Sequence, residues 1–185
     1  MKKTVVILGS PRKDGNSAIL AYKAIEGIIA AKGTYEVFYL NSMNIRPCQA
    51  CEFCKNKSEQ CIINDDMQLI YRKLNEANAI LIASPIYMFS VTAQLKLFMD
   101  RCYASTRTLV GMKIGALLTY GDSNESTSGV LNAVNTLKDE YNYSQSEVVG
   151  IFHGNAYEKG EIILNTQLLG KAYELGKMLG GEVAI

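Results

Sequence analysis

Short apolar runs rich in Val, Ile and Leu punctuate the chain at residues 4–8, 36–40, 79–84, 113–119 and 147–152. Runs of that length and composition suit strands covered on both faces. Between them, apolar positions recur at helical spacing. Residues 17–32 carry Leu20, Ile25, Ile28 and Ile29 and stop at Gly33, a favourable helix terminator. Residues 65–77 place Met67, Ile70, Tyr71 and Leu74 on one face, and residues 93–103 do the same with Leu95, Phe98, Met99 and Cys102. Residues 126–141 and 165–179 complete the set. Lys96, Asp100 and Arg101 read as the surface and end of that helix, where an i,i+4 pair is ordinary. Asp65 and Asp66 read as N-terminal capping residues.

The alternation βαβαβαβαβα favours a parallel sheet with helices on both faces. Right-handed crossovers make it a doubly wound α/β fold, and five strands take the flavodoxin-like order 2-1-3-4-5. The expectation is a single domain over residues 1–185 with a cysteine-rich loop at 45–64. Ligands in such sheets bind beyond the carboxyl ends of the strands, where the order switches between strands 1 and 3. The loops after those two strands therefore matter most, and both are chemically unusual.

The first, GSPRKDGNSA (residues 9–18), leaves a strand with two glycines and two cations and enters a helix at Asn16 and Ser17. Backbone N–H groups at a helix N-terminus with hydroxyls nearby make an anion site. It is neither a Walker A loop nor the G-x-G-x-x-G fingerprint. The plainer alternative is a helix cap at Asn16 or Ser17. The second, SPIYMFSVTAQLK (residues 84–96), is apolar and aromatic where loops are ordinarily polar. It suggests a wall for a flat ring; capping of the sheet is the alternative.

The stretches GSPRKDGNS and SPIY…AQLKLFMDR resemble the NAD(P)H-dependent FMN reductase family, a flavodoxin-like group, over residues 6–101. YEKGEI, residues 157–162, resembles a late segment of the same group. The resemblance implies that Ser10, Arg12, Asn16 and Ser17 hold the phosphate of FMN. It implies that Pro85, Ile86, Tyr87, Met88 and Phe89 line its isoalloxazine ring, with Tyr120 and Gly121 completing the site. Met88 to Ser90 depart from the small, glycine-containing version seen in many relatives. Flavin accepts hydride itself, so no catalytic triad is required of the protein.

Composition narrows the picture. The chain has 185 residues, 48% apolar and 20% charged, with a formal net charge of +1. That is a globular composition without the basic block that nucleic acid or anionic membrane would select. The N-terminal apolar run is too short for a signal peptide, and no run approaches a membrane span. The expected compartment is the cytoplasm, where thiols stay reduced. The two glycosylation sequons at Asn124 and Asn142 then read as loop residues. One histidine, His153, argues against His-rich zinc sites.

Four of the five cysteines, Cys48, Cys51, Cys54 and Cys61, lie within CQACEFCKNKSEQC, spaced C-x2-C-x2-C-x6-C. Their loop follows strand 2 and so emerges on the ligand side. The compact spacing matches runs that ligate iron–sulfur clusters. Zinc and free thiols remain open as alternatives, and disulfides are disfavoured by compartment. Cys102, on an apolar helix face, reads as a buried hydrophobe. The sequence resembles the iron–sulfur flavoprotein branch of the family, which implies FMN with a [4Fe-4S] cluster.

The residues, together with the family resemblance, leave three functional expectations, the third without support. The first is an FMN-dependent enzyme passing electrons from NAD(P)H to a small acceptor such as a quinone or flavin. The second is an electron carrier serving a ferredoxin-like partner through a cluster. The third, a zinc-stabilised non-redox domain, lacks the acidic pocket that receiver-type domains need. The apolar loop at residues 87–89 and the family resemblance both point to a homodimer or homotetramer.

Overall fold

The computed structural model describes residues 1–56 and 60–181. Residues 57–59 of the expected cysteine-rich loop lie outside the described residues. The elements are β1 (Lys3–Leu8), α1 (Asn16–Ala30), β2 (Thr34–Tyr39), α2 (Phe53–Asn56), α3 (Met67–Glu76) and β3 (Ala79–Tyr87). They continue with β4 (Ser90–Val91), α4 (Ala93–Arg101), β5 (Lys113–Tyr120), α5 (Val130–Tyr143), β6 (Glu147–Asn155) and α6 (Thr166–Gly180). Short 3-10 turns occur at Leu40–Ser42, Cys102–Ser105 and Glu161–Leu164.

The main sheet runs β2-β1-β3-β5-β6, parallel throughout. Counting parallel strands alone, this is the expected flavodoxin-like 2-1-3-4-5 order. Nothing in the apolar pattern signals β4, which folds back antiparallel on β3 and pairs Ile86 with Val91 and Tyr87 with Ser90. Pro85 does not stop β3: the strand continues past it, in register with Thr119 of β5.

Side-chain alternation explains why the strands read as continuous apolar runs. Val5, Ile7, Ile80, Ile82, Ile114 and Leu118 face one layer, packed with Ile70, Leu74, Leu95, Phe98 and Leu137 of α3, α4 and α5. Val6, Leu8, Leu81 and Leu117 face the other, packed with Leu20, Ala24, Ile28, Ala172 and Leu175 of α1 and α6. Burying each of the Val, Leu, Ile and Phe side chains contributes about 1.5–3 kcal/mol, and both layers supply them.

α1 and α6 meet through glycines. A Cβ at Gly27 would stand 2.0 Å from the Tyr173 carbonyl oxygen, and one at Gly176 1.8 Å from that of Ala24. Gly33 is not the left-handed terminator expected from its position. Lys32 adopts that conformation (φ 58°). Gly33 instead leaves room for Gly180, whose Cα would lie 2.8 Å from an added Cβ. Among the described residues no helix is long and apolar enough to cross a membrane.

Candidate functional site

A cleft of about 400 Å³ opens at the carboxyl ends of β1, β3 and β5. Crossovers leave β1 and β3 in opposite directions across the sheet, which parts their loops. Ser10, Arg12, Asn16, Ser17, Pro85, Ile86, Tyr87, Tyr120 and Gly121 all line it. Nine of the eleven residues expected around a cofactor are therefore brought together. Met88 and Phe89 do not line it.

The loop after β1 is held from several sides. Ser10 is buried, and its hydroxyl accepts from the Arg12 amide at 3.0 Å. The Tyr39 hydroxyl donates to the Pro11 carbonyl at 2.5 Å. Burial first, then Asp14 and Tyr22, raises the pKa of that phenol and keeps it a donor. Thr92 caps α4 by accepting from the Leu95 amide and donates to the Gly9 carbonyl at 2.7 Å. α1 itself begins after Gly15 with no side-chain cap, and Ser17 in its first turn is buried. Its first-turn amides thus lack the usual side-chain acceptor, which leaves the positive end of the helix dipole available at the cleft.

Asn16 has a different position from a simple phosphate ligand. Its Nδ2 donates to the carbonyls of Ala156 (3.3 Å) and Glu158 (2.8 Å). Its Oδ1 accepts from the amides of Gly160 (2.9 Å) and Ile162 (3.3 Å). The side chain is a clamp between α1 and the segment after β6. That segment supplies Ala156, Tyr157, Glu158 and Lys159 to the cleft wall, residues that the sequence pattern does not assign to the site. The YEKGEI stretch is the available signal for them. Lys159 pairs with Asp14 at 2.5 Å, which holds the Asp14 carboxyl below its usual range and ties the two loops at the rim. On the β5 side, burial first, then Glu125 and Asp122, raises the Tyr120 pKa, and its ring lies 5.9 Å from that of His153.

Met88 and Phe89 form the tip of the β3–β4 hairpin, both in the left-handed region (φ 45° and 66°) and 88% and 60% exposed. Non-glycine residues pay strain there. Gly129, with φ 81°, lies against this tip: a Cβ would stand 2.3 Å from the Phe89 Cα.

The cysteine-rich loop runs beside α4. Cys48 and Cys51 are exposed, Cys54 (on α2) and Cys61 half-buried, and Cys102 buried; all five are free thiols. The first four line one narrow crevice with Arg101 and Tyr103. Burial raises the pKa of Cys54. Among the described residues no three His, Cys, Asp or Glu side chains are grouped to hold a metal ion.

Two expectations need correction here. Arg101 is not a surface residue: it is 1% exposed. Its guanidinium donates to the Asp65 carboxylate through Nη1 (2.6 Å) and Nη2 (3.1 Å), and to the Arg46 carbonyl at 2.8 Å. Asp65 does accept from the Met67 amide, but chiefly it anchors Arg101 and the Arg46 amide. Asp66 caps nothing with its side chain and holds the Asn44 amide at 2.7 Å. Both carboxylates thus pin the two ends of the cysteine loop to α3 and α4. The Lys96–Asp100 pair is present as expected.

A profile of the NADPH-dependent FMN reductase family matches residues 2–152. An iron–sulfur flavoprotein of Archaeoglobus fulgidus is 36% identical over 136 residues, covering 71% of this chain and 61% of that protein. The putative NAD(P)H-dependent FMN-containing oxidoreductase YwqN of Bacillus subtilis is 26% identical over 183 residues, 95% of this chain and 97% of its own. The chain aligns to 61%, 51% and 64% of the length of three iron–sulfur flavoproteins. Among solved structures, an NAD(P)H:quinone oxidoreductase from Methanothermobacter marburgensis shares the fold, with a TM-score of 0.74 at 19% identity over 99% of this chain and 98% of that one.

Proposed function

Because this chain belongs to the NADPH-dependent FMN reductase family, we propose that it is an FMN-dependent oxidoreductase. It takes electrons from NAD(P)H and delivers them to a small acceptor such as a quinone or a flavin. One observation carries the reading: the uncapped N-terminus of α1, with buried Ser10 and Ser17, shares a single cleft with Pro85, Ile86 and Tyr87. An anion site at one end and an apolar wall at the other suit a phosphorylated flat ring, and about 400 Å³ falls within the range of cofactor pockets. The cleft has one anion loop, which favours FMN over FAD.

When bound, FMN supplies the hydride-accepting ring. The residues supply the rest. Ser10, Arg12, Ser17 and the α1 amides bind the phosphate. Ile86 and Tyr87 exclude water from one side of the ring. Tyr120 offers a protonated phenol at neutral pH. Asn16 holds the 156–162 segment closed over the cleft through four hydrogen bonds. Tyr157, 75% exposed at the rim, is placed to meet an incoming nicotinamide or acceptor.

Ser17→Asp tests the assignment. A carboxylate at the helix N-terminus repels phosphate, so the folded variant should purify without flavin. Full flavin content in that variant would remove the phosphate assignment.

A second reading, an electron carrier that serves a ferredoxin-like partner through a [4Fe-4S] cluster, is favoured by the convergence of Cys48, Cys51, Cys54 and Cys61 on one crevice. The described residues do not present a ready-made ligand set, so no electron path is drawn through the loop. Iron, zinc and flavin assays on anaerobically purified protein separate the readings. Iron with flavin, with the iron lost in Cys54→Ser, supports the carrier. Flavin alone supports the simple reductase.

A further inference from the structure

A second cavity, of about 440 Å³, is slightly larger than the flavin cleft. It lies between α4, the following 3-10 turn and the C-terminal half of α5, closed on one side by Cys48, Ala50 and Glu52. It shares no lining residue with the cleft. Its interior is apolar, formed by Met99, Cys102 and Leu109, and Tyr103 and Tyr143 add aromatic surface. Glu140 lines it, and both of its carboxylate oxygens are withdrawn from solvent without any hydrogen-bond partner.

Buried carboxylates without partners are rare, because the desolvation they suffer goes uncompensated. Among the described residues no hydrogen bond answers this one, and Lys96 acts on it only through space. Lys96 spends its ammonium on Asp100. The Tyr103 hydroxyl donates to Glu52 on the opposite wall, and Lys55 bonds to Thr106. The Tyr141 hydroxyl is itself unpartnered, and Cys102 is a thiol held protonated by burial. Glu52, Asp100 and Glu140 therefore face the cavity against Lys96, the one cation among its described lining residues. Three carboxyl groups against one ammonium favour a positive partner.

We propose that this cavity is a binding site for a small amphipathic organic cation, an aralkyl amine, with Glu140 as counter-ion. The apolar walls take the hydrocarbon body. Tyr143 offers a ring face that favours a cation, and the Tyr103 ring already takes one, the Lys55 ammonium lying 4.2 Å from its centroid. Among the described residues no hydrogen bond holds the Glu140 side chain, so turning its carboxylate toward the ligand breaks none there. Burial pushes the Glu140 pKa up to about 7, opposed by Lys96 and reinforced by Asp100. The carboxyl is thus neutral in mild acid and charged in mild base, and amine affinity should follow its ionisation. The amine site stands whether or not the cleft holds flavin.

Calorimetric titration of the purified protein with phenethylamine, and with phenethyl alcohol as neutral match, at pH 6 and pH 8 tests it. With a pKa of about 7, the ionised fraction rises roughly tenfold over that interval, and amine affinity should rise about tenfold with it. The alcohol should bind weakly, without pH dependence. Glu140→Gln should remove the gain while flavin content stays that of the parent. Thr136→Phe, which keeps Glu140 but fills the cavity from α5, should abolish binding. Equal affinity for amine and alcohol, binding independent of pH, parental affinity in either variant, or no binding at either pH would each overturn the proposal.

Discussion

Arg101 meets Asp65 as an ion pair shut away from water, at 2.6 Å. An Arg at the end of a helix next to Asp100 reads as solvated. Here it is sealed, and its charge is answered by a carboxylate whose side chain is 1% exposed. Burial pushes the Asp65 carboxyl up, but the bonds from Arg101, Arg46 and Met67 outweigh it and the net shift is downward. Removing one partner of such a pair leaves the other charge uncompensated and costs about 3–5 kcal/mol. Asp65→Asn should therefore lower the melting temperature and free the ends of the cysteine loop, which limited proteolysis would register. A carboxyl depressed below its ordinary 3.8 contributes stability above that pH. The contribution disappears as pH falls through the folded-state value. Glu140 runs the other way. Its folded-state pKa lies above the ordinary 4.5, so the folded protein holds that proton more tightly. Stability should be full below 4.5 and decline up to about 7, and the loss should be complete above that. A shift from 4.5 to about 7 corresponds to a loss on the order of 3 kcal/mol. Melting curves of Glu140→Gln against the parent should nearly coincide at pH 4.5 and separate by about pH 8, with the variant the more stable. Curves that keep a constant offset across that range would show that the carboxyl is not buried in solution.

The elements themselves were largely legible. Alternating burial of Val5, Val6, Ile7 and Leu8 toward two layers is what a continuous apolar run encodes, and the five strands and five long helices follow from it. What the pattern could not show was the β3–β4 hairpin, because two residues carry no periodicity and Pro85 reads as a stop. The two-residue turn at its tip usually belongs to Asn-Gly or similar pairs. Met88 and Phe89 hold it instead, braced by the Asn132 side chain, which donates to the Phe89 carbonyl at 3.3 Å. Likewise, no local signal ties Asn16 to amides that lie 144 and 146 residues further along. Only folding brings them together. Gly129→Ala tests the brace. Its Cβ would strike the Phe89 backbone, and its φ of 81° would be strained as well. We expect a loss of roughly 1–3 kcal/mol from strain and displacement. Because the hairpin carries Pro85 to Tyr87, flavin affinity should weaken too. Unchanged flavin affinity in a destabilised Gly129→Ala variant would mean that the apolar wall is set by the sheet alone.

At the scale of the whole molecule, the hairpin tip raises the question of what covers it. Tyr87, Met88 and Phe89 are all exposed, beside the cleft and on a strained turn. An apolar surface kept at a backbone cost usually has a partner. Small, polar turn residues would have been both less strained and more soluble. The occupant we propose is a second copy of this chain, giving a dimer or a tetramer whose interface adjoins the flavin site. Replacing the tip by its relaxed equivalent, Met88→Asn with Phe89→Gly, separates intrinsic strain from association. In an isolated protomer the change should stabilise, by about 1–2 kcal/mol, since strain is relieved and the exposed side chains pack against nothing. In an oligomer the apolar packing between protomers is worth more than that gain, so its removal should weaken the assembly. Light scattering across a wide concentration range, with FMN present, should give an oligomeric mass for the parent and a lower, concentration-dependent mass for the double variant. A monomeric parent at every concentration would remove the second copy as the occupant. The exposed tip would then belong to the substrate side of the cleft, where the same variant should raise the KM for the acceptor and leave the mass unchanged.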